Sequence, residues 1–304
     1  MLSSLGFQLP GLTPHNTHGV GPFRKLTREG RGSKMRRFLV SLKKHFFIYL
    51  LFMKNSTMGF LEYRANLFAA LTMELVYLFS KILYVIVFYN SSVKIDGVSP
   101  DEIMLYIGTF ILMTGLFVGF FMDNFYQIPE HIRTGTLDTY ITKPVSLQFI
   151  ATMREFNIVL LTPNLIAGTV LVSIAWKRLG IAANFHNIGG YVLIILSSLF
   201  ISYAVFLFPQ ILSFWTIKSG AITEVADKCW DFNNMPMLIY NKWMQRVGVF
   251  LIPIFCITNF PAMFVLGNLS TVYFVWVFIA PVLFFTLITL FWRYAVRNYT
   301  SASS

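Results

Sequence analysis

IMLYIGTFILMTGLFVGFF, residues Ile103–Phe121, carries no charged side chain. A helix of this length covers about 30 Å, the hydrocarbon thickness of a bilayer. A barrel strand would instead alternate polar and apolar residues over about ten positions. Backbone in hydrocarbon must satisfy its own hydrogen bonds, so this unbroken run predicts a spanning helix. Five further runs share the pattern: Phe68–Tyr89, Phe156–Trp176, Ile188–Trp215, Val247–Leu266 and Thr271–Trp292. Together they predict an all-α integral membrane protein with six transmembrane helices. Composition agrees, since 56% of the 304 residues are hydrophobic and only 12% are charged. A soluble domain of this size needs far more charge to cover its surface. Pro163, Pro209, Pro253, Pro261 and Pro281 fall inside these runs, where proline kinks a span without excluding it. The fifth run holds two of them and precedes the very short link Gly267–Ser270. It is expected either to cross or to break and turn back near the outer surface.

The flanks read differently. Residues 1–34 are rich in Gly, Pro, Thr and basic residues without apolar period, which predicts a disordered N-terminal extension; Met35 is an alternative start. From 35 to 63, Arg36, Arg37, Lys43, Lys44 and Lys54 are interleaved with Phe38, Phe46, Phe47, Tyr49 and Phe52. That mixture predicts an amphipathic helix lying in the membrane interface. Residues 64–297 form the six-span domain and 298–304 a short tail. Residues 1–67 hold eleven of the 24 basic residues. Segments 122–155 and 216–246 and the tail add Arg133, Lys143, Arg154, Lys218, Lys228, Lys242, Arg246, Arg293 and Arg297. The alternate loops hold only Lys94, Lys177 and Arg178. Positive charge marks the cytoplasmic side, so both termini are expected in the cytoplasm of a multi-pass protein of the cell membrane. The net charge of +11 then points to anionic membrane lipids rather than to nucleic acid.

Several chemistries are disfavoured. None of His15, His18, His45, His131 and His186 lies in a span, and neither HExxH nor GxSxG occurs, so a membrane-embedded enzyme is not expected. Cys229 and Cys256 form no metal-ligand pattern, and no metal site is expected. No GxxxxGK[ST] loop occurs, so the chain is not expected to hydrolyse ATP. The ionisable residues inside the runs are Glu74 and Lys81. At seven residues apart they share a helix face but sit about 10 Å apart, beyond direct bonding along one helix. Each either pairs with another helix or snorkels, or else the two line a path or a subunit seam. A secondary transporter or a membrane scaffold remain the alternatives on this evidence.

The informative loop follows the second run: Ile128-Pro129-Glu130-His131-Ile132-Arg133-Thr134-Gly135-Thr136-Leu137-Asp138-Thr139-Tyr140-Ile141-Thr142-Lys143-Pro144-Val145. It suits a short helix bounded by Pro129 and by Lys143-Pro144, with Ile132, Leu137, Tyr140 and Ile141 on one face. Its Glu130, Gly135-Thr136-Leu137-Asp138 and Pro144-Val145-Ser146 resemble the segment after span two in permeases of the ABC type-2 transporter family. The Thr-Lys-Pro-Val-Ser ending is most similar to a bacterial branch of dissimilar permeases encoded in pairs with one ATPase. Ile252-Pro253-Ile254-Phe255 and Asn259-Phe260-Pro261-Ala262 also look like that branch.

The resemblance covers about residues 35 to 297. It implies a permease subunit of an ATP-driven exporter, with a coupling helix between spans two and three. Partners would be cytoplasmic ABC ATPase subunits, which bind ATP and Mg, and a second permease, identical or dissimilar. Glu130, Arg133, Gly135, Thr136, Leu137, Asp138, Lys143 and Pro144 would face the ATPase, Gly135 by allowing close approach. The family exports drugs, peptides, lipids and glycan carriers. The aromatic, Met-rich spans fit a hydrophobic or amphipathic substrate.

Overall fold

The computed structural model describes residues 26–90, 97–216 and 220–299, and these are almost entirely helical. The chain divides into a compact unit of residues 1–47 and another of 48–304. Helix α1, Leu26–Glu62, begins in the first unit. It starts nine residues before Met35, so part of the stretch expected to be disordered is helical; residues 1–25 of that expectation lie outside the described residues.

Among the described residues, five helices are long and apolar enough to cross a membrane. Here they are α2 Arg64–Asn90, α3 Pro100–Arg133, α6 Ile158–Arg178, α7 Phe185–Ile211 and α11 Thr271–Arg297. Between them lie the short helices α4 Thr136–Ile141 and α5 Leu147–Met153. Helices α8 Gly220–Asp231, α9 Lys242–Leu251 and α10 Phe255–Val265 precede α11. The protein is an all-α integral membrane protein, as its apolar runs required.

Local sequence sets the helix starts. Ser99 caps α3 through a reciprocal pair, its hydroxyl accepting from Glu102 N at 3.2 Å while Glu102 Oε2 accepts from Ser99 N at 2.7 Å. Pro100 occupies the first turn, where no N–H is needed. Asn157, Asn184 and Ser270 cap α6, α7 and α11 more simply, each side-chain oxygen accepting one backbone N–H of the first turn.

Helix α3 is the centre of the packing, and glycine lets α6 reach its backbone. A Cβ at Gly115 would lie 2.6 Å from Asn164 Cβ, and one at Gly168 would lie 2.8 Å from Leu112 N. Lipid offers no hydrophobic drive between spans, so van der Waals contact at this distance does the holding. Pro129 does not begin a loop as expected: α3 runs through it to Arg133. A π turn at Val118–Met122 precedes it, and the freed Gly119 carbonyl accepts from Asn157 N at 2.9 Å.

Contacts fix the helix directions. Glu74 meets Asn164, while Lys81 lies over Phe110. Thr109 bonds Tyr191 and Phe117 packs on Phe206, so α3 and α7 run parallel. Ser197 bonds the Val277 carbonyl and Phe208 packs on Phe291, so α7 and α11 are also parallel. The chain between α7 and α11 must therefore make one net crossing. The fifth apolar run does not make it alone, because α9 and α10 meet at a 106° bend. Residues 252–254 supply it, with Pro253 removing a backbone donor.

The remainder of that crossing lies in a stretch expected to be a basic loop, 216–246. Its Asp227 accepts from the Tyr126 hydroxyl. One turn on, Trp230 Nε1 donates to Thr114 Oγ1 at 3.2 Å, and Asn234 Oδ1 accepts from Lys81 Nζ at 2.8 Å. Thr114 lies in the middle of the second apolar run. The stretch thus packs between the spans as far as Asn234.

Candidate functional site

The loop between α3 and α6 turns on one residue. Gly135 has φ of 70°, a left-handed conformation that costs any residue with a Cβ. It ends α3 at Arg133 and lets α4 begin at once, with Asp138 N donating to its carbonyl at 3.0 Å. A Cβ there would find only Asp138 Oδ2, at 3.6 Å. Backbone shape is what the glycine supplies within this chain.

Helix α4 has two faces. Leu137 is fully buried and Tyr140 nearly so, whereas Thr139, Ile141, Thr142, Lys143 and Pro144 are exposed. Leu137, expected to face the ATPase, is instead an anchor packed into the core. Tyr140 is the second anchor: Arg154 Nη1 donates to its hydroxyl at 2.5 Å, and the His131 ring packs on its edge. Ile141, 51% exposed, is an apolar knob on the open face.

The carboxylate and guanidinium that precede the turn pair with each other. Arg133 Nε and Nη2 donate to Glu130 at 2.8 and 2.7 Å, with both side chains more than half exposed. Exposed pairs of this kind add little stability, so their geometry matters more as a display than as a brace. Thr134 Oγ1 donates to the Glu130 carbonyl and sits 2.8 Å from Thr136 Oγ1.

The far end of the loop is tied to α3 and α1. Asn124 accepts from Glu155 N at 2.7 Å and donates to its carbonyl at 2.8 Å. Asn157 Nδ2 donates to Asp123 at 2.8 Å. Ser56 on α1 bonds Glu155 Oε2 and accepts from Phe156 N. A groove of about 970 Å³ runs between α1 and the loop, with Lys143, Arg154, Glu155, Asn55 and Tyr63 in its walls. The end of the loop is thereby bonded to α3, to the start of α6 and to α1.

Glu74 and Lys81 do not meet. Glu74 accepts from Asn164 Nδ2 at 2.6 Å. Lys81, 8% exposed, bonds Asn234 and lies 4.9 Å from the ring centroids of both Tyr77 and Phe110. Each bonds to a side chain of another element. Asn234 and Trp230 could not be matched to them from sequence, because the polar residues around them read as loop.

A family model described as "ABC-2 family transporter protein" matches residues 75–303. Comparisons with curated proteins and with solved structures return no match. The family match spans every helix from the middle of α2 to the end of α11, including the loop just described, and the chain therefore belongs to the ABC-2 family, as a type-2 permease of an ABC transporter.

Proposed function

We propose that the chain is the permease subunit of an ATP-driven exporter in the cell membrane, and that the open face of α4 receives the partner ATPase. The observation that carries this reading is the split of α4 and the residues just after it into a buried part, Leu137 and Tyr140, and an exposed part, Ile141, Lys143 and Pro144. A lever needs both: a surface to be pushed and a rigid tie to what must move. Glu130, Arg133, Thr136 and Asp138 rim that surface, and Gly135 sets its angle.

Arg133 at the end of α3, Lys143 just after α4, Arg154 and Arg297 at the end of α11 support a cytoplasmic location for this side and for both termini. Lys177 and Arg178 lie at the opposite end of α6. Nucleotide and Mg belong to the ATPase. Exposed apolar surface on α2 and α11 suits lipid and a second permease subunit, identical or of the dissimilar paired type.

The test is expression with the genomically neighbouring ATPase. Wild-type chain should retain the ATPase through purification and show ATP hydrolysis that depends on both subunits. A chain that transports fully without any ATPase would refute the reading.

A further inference from the structure

We infer that the cavity between α2 and the crossing stretch 227–235 binds the zwitterionic head of an amphipathic substrate, an anionic oxygen facing Lys81 and an ammonium facing Asp231. This rests on the exporter reading and narrows its substrate class.

The cavity has a volume of about 530 Å³, and Ser80, Lys81, Tyr84, Asp231 and Asn234 line it. Its depth follows from its neighbours. Lys81 lies over Phe110, and Trp230, next to Asp231, donates to Thr114. Phe110 and Thr114 both belong to the uncharged run Ile103–Phe121. Opposite charges therefore share one cavity at a level where lipid offers neither of them a partner.

The two charges are held apart rather than joined. Lys81 Nζ spends one donor on Asn234 and rests on the faces of Tyr77 and Phe110. Asp231 accepts from Asn234 Nδ2 at 3.5 Å. Among the described residues, neither Lys81 nor Asp231 forms an ion pair. Asn234 thus sits between them and leaves each with unused capacity, two donors on the ammonium and an open carboxylate. A purely cationic head would meet Lys81, and a purely anionic head would meet Asp231. A neutral head would desolvate both charges without return. A head with both signs compensates each.

A polar approach leads to the cavity. Glu224, Asp227, Lys228 and Asp231 recur at helix spacing along α8, and all four are exposed, while Trp230 on another side of α8 packs against Phe117 and Phe206. The face runs from the Tyr126 level up to Lys81. A charged head can follow it while an acyl or aryl tail stays on apolar surface.

The test uses the full chain in membrane vesicles, with Cys229→Ser to silence the partly exposed thiol; Cys256 is buried. Ser80→Cys reports on the cavity through its rate of labelling by a small water-borne methanethiosulfonate. Hexylphosphocholine should slow labelling about five-fold at a concentration several times its dissociation constant. Hexyl glucoside, hexyltrimethylammonium and hexyl phosphate should slow it much less. Lys81→Met and Asp231→Asn should each reduce the phosphocholine effect to the glucoside level. If Lys81→Met fails to reach the membrane, Asp231→Asn alone decides. Equal protection by the glucoside, protection that survives Asp231→Asn, or no labelling of Ser80→Cys overturns the inference. The assay needs no ATPase, so its failure is separate from loss of ATPase binding, which bears on the exporter reading instead.

Discussion

Leu137 and Ile141 are apolar residues one helical turn apart on a six-residue helix, yet one is buried and the other open. Their substitutions should separate stability from partner binding. Leu137→Ala removes a fully buried side chain and should cost about 2–5 kcal/mol, read as a lower thermal midpoint of the purified protein. Ile141→Ala should leave that midpoint unchanged and weaken retention of the ATPase. The reverse pattern would mean that α4 is turned the other way. Gly135 is decided by its backbone. Gly135→Ala forces a Cβ into the left-handed region at about 1–2 kcal/mol, and Gly135→Asn should cost less because asparagine tolerates it better. Equal behaviour of the two in thermal melting would remove backbone shape as the reason for glycine. A bulky substitution is the poorer probe, since space around Gly135 is open.

At the scale of the helices, the seam of α3 and α6 is the most demanding contact. Gly115→Leu drives a side chain into Asn164 at a distance no pair of carbons adopts, and overpacking of this kind costs about 1–3 kcal/mol or more. The variant should still insert, because hydrophobicity rises, but should aggregate at lower temperature than wild type in detergent. An unchanged melting curve would show that the seam can open freely. These helices were legible as apolar runs because lipid leaves a spanning backbone almost no alternative to a helix. The exceptions have local causes. Pro129 marks a boundary by sequence, but the π turn at Val118–Met122 and the ties of Asn124 and Asn157 hold the helix through it. The charges Glu224, Asp227, Lys228 and Asp231 give their stretch the pattern of a loop and mask its packing between the spans. Only the contacts of Trp230 and Asn234 reveal that packing. In the loop itself the motif positions and an apolar face of Ile132, Leu137, Tyr140 and Ile141 were legible, but not that Ile141 is left open while Leu137 and Tyr140 are buried, which tertiary packing decides.

For the whole molecule, the parallel course of α3, α7 and α11 requires an even number of crossings from Arg64 to Arg297. Residues Ala182 and Thr142 are both exposed and lie at opposite ends of α6 and its preceding loop. Single cysteines there should label from opposite sides of an intact cell, Ala182→Cys from outside and Thr142→Cys only after permeabilisation. Labelling of both from outside would contradict the topology.

The coupling surface itself is tested most directly by one comparison. Ile141→Asp places a charge on the exposed knob of α4, and Ala182→Asp places the same charge at the other end of the spans. With membrane levels of both matched to wild type, the partner ATPase is quantified after purification through the permease. The account predicts that Ile141→Asp loses most of the ATPase while Ala182→Asp keeps it. Retention of the ATPase by Ile141→Asp at the level of Ala182→Asp would contradict it.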